Sequence, residues 1–185
     1  PFLMIGSLFL LIANLPIKSL NTLVAECGLA DICSQVYSST FSLMALFTVV
    51  GITYSYLKND KISTAVNGAL TGLAAFVLLT PSSKVLENDE AVTGVISKDW
   101  TAGQGMICAI LIGFLVGYIY SLCIRKDIRV KMPEGVPPGV ADSFSSLLPT
   151  GIITIVCAII YAVCHFVFKT TFAELIYSAI QIPLQ

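Results

Sequence analysis

The sequence predicts an all-α, polytopic membrane protein with about five transmembrane helices and one or two interfacial amphipathic helices. Its 185 residues are 56% hydrophobic and only 11% charged, whereas soluble domains are roughly a quarter charged. The charges also lie between long charge-free windows, at 1–17, 32–57, 62–83, 100–124 and 143–168. With a net charge of −1, the chain has no basic field that would favour nucleic acid as a partner.

The last four windows are long enough to cross a bilayer, because a helix needs about 20 residues to span the hydrocarbon core. Open sheets cannot span lipid, since their edge amides would stay unsatisfied. We therefore predict helices a to e, in chain order up to 16, 38–57, 62–80, 103–124 and 143–168. The first residue already lies in an apolar run, so we interpret the chain as a piece of a longer protein.

Two further segments have the pattern of amphipathic helices at a membrane surface. Residues 170–182 place Phe172, Leu175 and Ile176 on one helical face, and Pro183 follows. Such a face can lie against the apolar edge of a bilayer. Residues 18–31 show a weaker version of the same pattern.

The positive charges predict the orientation. If the helices alternate, the b–c and d–e loops share one side, which carries Lys58, Lys61, Arg125, Lys126, Arg129 and Lys131; the other side carries Lys18, Lys84, Lys98 and Lys169. Cytoplasmic loops are enriched in Lys and Arg, so loops 58–61 and 125–142 are predicted to be cytoplasmic. The aromatic belts are then expected at the outer interface (Tyr37, Trp100) and the inner one (Tyr54, Tyr56, Tyr118, Tyr120).

Small residues indicate where helices pack. Helix d carries one at every fourth position (Gly105, Ala109, Gly113, Gly117 and Ser121), and helix c carries Asn67, Gly68 and Gly72. Small residues let backbones approach closely in lipid, where no hydrophobic force joins helices. Three interpretations stay open: packing within one chain, a subunit interface and, for Asn67, contact with a substrate.

The residue types give little support for catalysis or metal binding. The six cysteines form no Cys-x-x-Cys pair, and His165 is the single histidine. We therefore predict no catalytic, cofactor-binding or metal-binding residue and no cofactor. A Cys27–Cys33 disulfide remains an alternative. An intramembrane enzyme would need a nucleophile or carboxylate paired with a base inside a helix, and the predicted helices carry no such pair.

The connector between helices d and e is the most distinctive stretch. It begins with a basic segment at 125–131, directly after helix d. It also contains three prolines that should keep it stiff and non-helical: Pro133, Pro137 and Pro138. Asp142 or Ser143 is predicted to cap helix e. Pro149 lies inside the apolar window and is predicted to kink that helix.

This block resembles a motif of the lactose/cellobiose/chitobiose family of IIC permeases of the bacterial phosphoenolpyruvate-dependent sugar phosphotransferase system. The matching positions are Met132, Pro133, Val136, Pro137, Pro138, Val140, Ala141, Ser143, Phe144 and Pro149. Shorter stretches also resemble the family, at 5–7, 14–16, 100–105 and 179–184.

The resemblance implies a multi-pass permease of the bacterial cell membrane that takes up a β-linked disaccharide. A phosphorylated IIB partner would phosphorylate the sugar at the cytoplasmic face, and the permease would be a homodimer. Residues 1–185 would be the amino-terminal scaffold and dimerisation half, with the sugar-binding carboxy-terminal half absent. The family's sugar-contacting His belongs to that other half, so His165 is interpreted as an interface or helix-contact residue.

Without the resemblance, the residues are also compatible with two alternative functions: a non-transporting helical membrane scaffold and an unrelated secondary transporter. The complete family member is the membrane component of a sugar phosphotransferase, but this stretch should carry no catalytic residues. The 132–149 segment has three candidate roles, namely a cytoplasmic gate, a docking element for the partner, and a connector that only positions helix e.

Overall fold

The computed structural model describes residues 2–13, 29–85, 91–130, 133 and 135–181, and its architecture is helical. Its elements in chain order are α1 (Phe2–Ala13), α2 (Leu29–Phe41), α3 (Met44–Asn59), α4 (Ala65–Leu79), β1 (Ser83–Val85), β2 (Ala91–Thr93), α5 (Lys98–Thr101), α6 (Met106–Arg125), α7 (Pro138–Ser145), α8 (Leu147–Val163), a π-helical turn (Cys164–Phe168) and α9 (Phe172–Gln181). The predicted fold class is therefore confirmed.

The apolar helices coincide with the predicted windows. Within the described residues, three helical stretches are long and apolar enough to cross a membrane, at Asp31–Asn59, Met106–Arg125 and Gly139–Phe168, and Leu3–Ile12 and Ala65–Leu79 are shorter apolar helices. The second predicted helix begins earlier than expected and is interrupted by a turn at residues 42–43. Helix d begins at Met106 rather than at 103, because residues 102–105 form turns.

Helix α6 lies at the centre of the bundle, between α3, α4 and α8. Half of its apolar window is buried, against 17% for the other two long stretches. Most core side chains come from these four helices, among them Val49, Phe76, Ile112, Val116 and Ile153. The apolar side chains that α3 and α8 expose are compatible with lipid, which accepts them directly.

Helix α9 confirms the helix predicted at 170–182. At its start, the Glu174 carboxylate accepts hydrogen bonds of 2.9 Å from the backbone N–H and the hydroxyl of Thr171, which is one half of a capping box. One face packs on the core through Ala173 and Ile176. Tyr177 meets the Trp100 ring edge to face at 5.8 Å. Residues 18–28, most of the weaker amphipathic segment, lie outside the described residues.

Two local features were not expected. Residues Ser83–Val85 and Ala91–Thr93 pair as a short antiparallel hairpin in the connection between α4 and α6. The end of helix e is a π-helical turn, closed by Lys169 in the left-handed conformation (φ 54°). Both lie at the end of the bundle where α6 begins, and neither changes the helical class.

Candidate functional site: a polar junction around the motif helix

The proline motif forms the start of a helix rather than a non-helical loop. Pro137 is the N-cap of α7, with φ −55° and ψ 138°, and Pro138 is its first residue. Proline suits this position because its fixed φ matches the helix and its missing N–H has no intrahelical acceptor there. The prediction that Pro138 excludes helix was therefore wrong. Met132 lies outside the described residues, and Pro133 is exposed.

The predicted cap of helix e was also wrong. Asp142 and Ser143 lie in the middle of α7, and the Ser143 hydroxyl donates to the carbonyl of Gly139 at 2.8 Å, one turn earlier. The motif residues Val140, Ala141 and Phe144 are helical as well. Only residues before Pro138 are connector, and Gly135 turns the chain there with φ 108°.

The helix predicted as e is interrupted at Ser146, between α7 and α8. Pro149 is buried in the first turn of α8 and has no N–H to donate to the carbonyl of Ser145, four residues earlier. The hydrogen bonds on either side are intact, from Ser146 N–H to Asp142 O at 3.1 Å and from Thr150 N–H to Ser146 O at 3.0 Å. The interruption thus lies just before the proline predicted to kink this helix.

Asn67 of α4 bridges this interruption. Its side-chain amide donates to the carbonyl of Asp142 at 3.2 Å and to the hydroxyl of Ser146 at 3.1 Å. One turn further along, the hydroxyls of Thr71 and Thr150 lie 2.9 Å apart. A polar side chain facing lipid is costly, and these contacts direct Asn67 and Thr71 into the protein. We call these four side chains, Asn67, Thr71, Ser146 and Thr150, the junction. Sequence reasoning identified Asn67 but missed Ser146 and Thr150.

Tyr120 of α6 adds a buried hydrogen bond to the junction. Its side chain is fully buried, and its hydroxyl donates to the hydroxyl of Thr64 at 2.9 Å. The expectation that Tyr120 belongs to an aromatic belt was therefore wrong. Tyr118, two residues earlier, is 58% exposed and so faces outward. Side chains two residues apart point to different sides of an α-helix, so Tyr118 and Tyr120 have different surroundings.

The ends of α3 and α6 place a charged cluster beside the junction. Both helices end in a Schellman motif with a left-handed residue, Lys61 (φ 57°) after α3 and Asp127 (φ 55°) after α6. Asp60 accepts from Arg125 at 2.9 Å and from the Ser121 hydroxyl at 2.5 Å. Because the Arg125 side chain is 69% exposed, this ion pair contributes at most about 1 kcal/mol. Its main effect is to join the α3–α4 turn to α6.

The small residues of helix d lie against other helices of the same chain. A Cβ added at Gly113 would lie 3.1 Å from the Ile52 side chain, and one at Gly117 would lie 3.0 Å from the Tyr56 ring. Ala109 is fully buried, and a Cβ at Gly105 would collide with the carbonyl of Trp100.

The small residues of helix c lie against α3 in the same way. A Cβ at Gly68 would collide with Leu57, and one at Gly72 would lie 2.7 Å from the Thr53 hydroxyl. Thr53 is fully buried and also reaches the carbonyl of Gly113 at 3.2 Å. Thr53 of α3 therefore contacts both α4 and α6.

The junction consists of hydroxyl groups, a backbone carbonyl and the Asn67 amide, which are hydrogen-bonded to one another, and the Arg125–Asp60 ion pair lies beside it. Among the residues that the structure describes, no group of three metal-binding side chains occurs. His165 lies in the π-helical turn at the far end of α8, exposed and stacked on Tyr161 with ring centroids 5.8 Å apart. Cys33 is a free, buried thiol, and Cys27 lies outside the described residues.

Comparisons with known proteins agree with this architecture. Residues 1–183 match the family model described as "Phosphotransferase system, EIIC". The chain is 36% identical to the oligo-beta-mannoside-specific EIIC component of Bacillus subtilis (strain 168), covering 100% of this chain and 42% of that protein. It is 35% identical to the cellobiose-specific EIIC component of Geobacillus stearothermophilus, covering 84% and 36%.

A solved structure resembles the whole chain. The crystal structure of ChbC, the IIC component of an N,N'-diacetylchitobiose-specific phosphotransferase system, superposes with a TM-score of 0.90 at 31% identity and covers 100% of this chain and 44% of ChbC. The chain thus spans about two fifths of the length of these relatives. An unrelated secondary transporter is excluded, and the chain belongs to the phosphotransferase system EIIC family of membrane sugar permeases.

Proposed function

We propose that this chain is the scaffold part of a permease that takes up a β-linked disaccharide and couples uptake to phosphorylation by a IIB partner. The observation that carries the proposal is the match to ChbC over the whole chain, with a TM-score of 0.90. The relatives are named for oligo-beta-mannoside and cellobiose. These sugars suggest a substrate of the cellobiose, chitobiose or lactose type.

The contacts of the junction support a scaffold role for the described residues. The side-chain amide of Asn67 is engaged by Asp142 and Ser146, which favours a structural role over sugar contact. Helices α4, α6 and α8 are joined there by hydrogen bonds between side chains, as a rigid support requires. We propose that the sugar is bound mainly by a carboxy-terminal half and that this half moves against the scaffold, which also provides the homodimer contact.

The proposed orientation places the motif helix on the cytoplasmic side of the bacterial cell membrane, where a phosphorylated IIB protein would act. The positive charges near the ends of α3 and α6 support this orientation. The hydrogen bonds from Asn67 favour a connector that positions α8. The exposed residues Gly139, Val140 and Phe144 leave a surface on α7 that a docked partner or a gate would contact.

Uptake by cells tests the proposal. The full-length gene is expressed in a bacterium that lacks its own permeases for these sugars, with and without the cognate IIB protein, and entry of radiolabelled cellobiose and chitobiose is measured. We expect uptake only with IIB, and we expect the internal sugar to be phosphorylated. Accumulation of unmodified sugar in cells without IIB would reject the coupling.

A further inference from the structure

A crevice runs along the outward face of the bundle, between α3 and α6. Its larger part is a groove of about 670 Å³ lined by Phe47, Gly51, Ile52, Tyr56 and Phe114 together with three polar residues, Thr48, Ser55 and Asn59. Its smaller part is a pocket of about 260 Å³ at the ends of the same helices, lined by Tyr56, Tyr118, Ser121, Leu122, Arg125 and Lys126. Tyr56 lines both parts, so a largely apolar groove adjoins a basic pocket.

The groove has the shape and chemistry that suit a hydrocarbon chain. Gly51 lines it, is exposed, and has no atom within 4 Å of where a Cβ would lie. Phe114 is 52% exposed and Phe47 is 46% exposed. An extended acyl chain can lie over a helix at a glycine because no side chain keeps it at a distance.

The pocket at the end of the groove has a positive charge excess. Residues 58–61 and 125–130 together carry five cationic side chains and two carboxylates. The Arg125 guanidinium donates an N–H to the Asp60 carboxylate, yet the Arg125 side chain is 69% exposed, and Lys126 beside it is exposed as well. Arginine and lysine near a membrane surface attract anionic headgroups, and tyrosines such as Tyr118 are typical of the headgroup level.

We propose that the crevice binds one anionic phospholipid, with its phosphate at Arg125 and Lys126 and one acyl chain in the groove over Gly51. Charge complementarity indicates which ligand fits the crevice. An apolar segment of protein would match the groove but not the basic pocket, whereas an anionic lipid matches both. A zwitterionic lipid has the same chains but no net charge, and inorganic phosphate has the charge but no chain. The two parts of the crevice can therefore be tested separately.

The test uses the full-length protein, purified and delipidated in a neutral detergent. Dioleoylphosphatidylglycerol, dioleoylphosphatidylethanolamine and inorganic phosphate are added in turn, and retained lipid is measured by native mass spectrometry alongside the thermal unfolding midpoint. We expect phosphatidylglycerol to be retained and to raise the midpoint, and we expect neither effect from the other two. A ligand that binds only the folded state stabilises it by mass action.

Two pairs of variants locate the site. Gly51→Leu fills the groove and should remove phosphatidylglycerol binding, whereas Gly151→Leu is a matched control on α8, since Gly151 is also exposed with open space around it. Lys126→Gln should weaken phosphatidylglycerol binding about fivefold, because one basic residue near the membrane surface raises the affinity for an anionic lipid by about that factor. Lys169→Gln at the opposite end should leave binding unchanged.

Four results would overturn the proposal. Equal retention of the zwitterionic lipid would remove the role of charge, and an equal effect of inorganic phosphate would indicate an anion site without a lipid chain. Unchanged phosphatidylglycerol binding in both Gly51→Leu and Lys126→Gln would place the lipid elsewhere. Loss of oligomer in lipid-free Gly51→Leu, with Gly151→Leu intact, would assign the groove to a second copy of the chain.

Discussion

Replacement of Gly113 by leucine is expected to destabilise the bundle strongly. A Cβ at this position would lie 3.1 Å from both Cβ and Cγ2 of Ile52 and 3.4 Å from the carbonyl oxygen of Val49. An alanine therefore needs a shift of only a few tenths of an ångström, but the larger leucine side chain can enter only if α3 moves outward. That movement would also break the contact from Thr53 to the carbonyl of Gly113 at 3.2 Å.

The expected change in the free energy of unfolding has two unfavourable contributions and one favourable contribution. Overpacking a tight contact costs about 1–3 kcal/mol, and the four side-chain carbons of leucine place this substitution at the upper end, about 3 kcal/mol. Loss of an interhelical hydrogen bond in a membrane protein adds about 0.6 kcal/mol. Leucine regains up to about 1 kcal/mol over glycine in helix propensity. We expect a net loss of about 2–3 kcal/mol for Gly113→Leu and a change near zero for Gly113→Ala.

The assay is the unfolding of the purified full-length protein by sodium dodecyl sulfate, followed by circular dichroism. Gly151→Leu is the matched control, because Gly151 is an exposed helical glycine with nothing within 4 Å of an added Cβ. It should be as stable as the wild type or slightly more so. Equal stability of Gly113→Leu and Gly151→Leu would refute the close approach of α3 and α6.

Three further predictions concern the junction and its orientation. Asn67→Ala removes two hydrogen bonds and should cost about 1–2 kcal/mol in the same unfolding assay; no measurable cost would show that α7 is held by other contacts. Replacing Pro137 and Pro138 by glycine should lower the free energy of unfolding by about 1 kcal/mol each. If the segment acts as a gate or a docking element, this double variant should still bind sugar while its IIB-dependent uptake falls. Unchanged uptake at equal expression would leave only the connector role. Gly139→Cys, in a background without native cysteines, should resist an impermeant thiol reagent in intact cells, and labelling from outside would reverse the proposed orientation.

The sequence was most informative about where helices lie. Charges are costly in lipid, so the charge-free windows had to contain the spans, and the positions of α4 and α6 follow to within a few residues. The sequence does not predict the pairing of Ser83–Val85 with Ala91–Thr93, because strands of three residues are too short to show a recognisable alternation of apolar and polar residues. The sequence does not predict α7, because proline excludes helix at most positions, whereas Pro138 occupies the first position of a helix, which favours proline.

The junction was only partly predictable because it depends on how the helices are rotated. Asn67 stands out in an apolar window, and its cost in lipid is enough to direct it into the protein. Its partners do not stand out, because Ser146 and Thr150 resemble the other hydroxyls of α7 and α8. In the same way, Tyr118 and Tyr120 are indistinguishable by type, and only the packing of α6 buries Tyr120.

The central functional claim is that this permease delivers a sugar to a phosphorylating partner. The most direct measurement uses inverted membrane vesicles that contain the full-length protein and are loaded with radiolabelled cellobiose or chitobiose. Phosphoenolpyruvate and the soluble phosphotransfer proteins including IIB are supplied outside. We expect sugar phosphate to form, and we expect its formation to stop when either IIB or the permease is omitted. Formation of sugar phosphate at the same rate without the permease, or none in the complete mixture for any β-linked disaccharide, would contradict the claim.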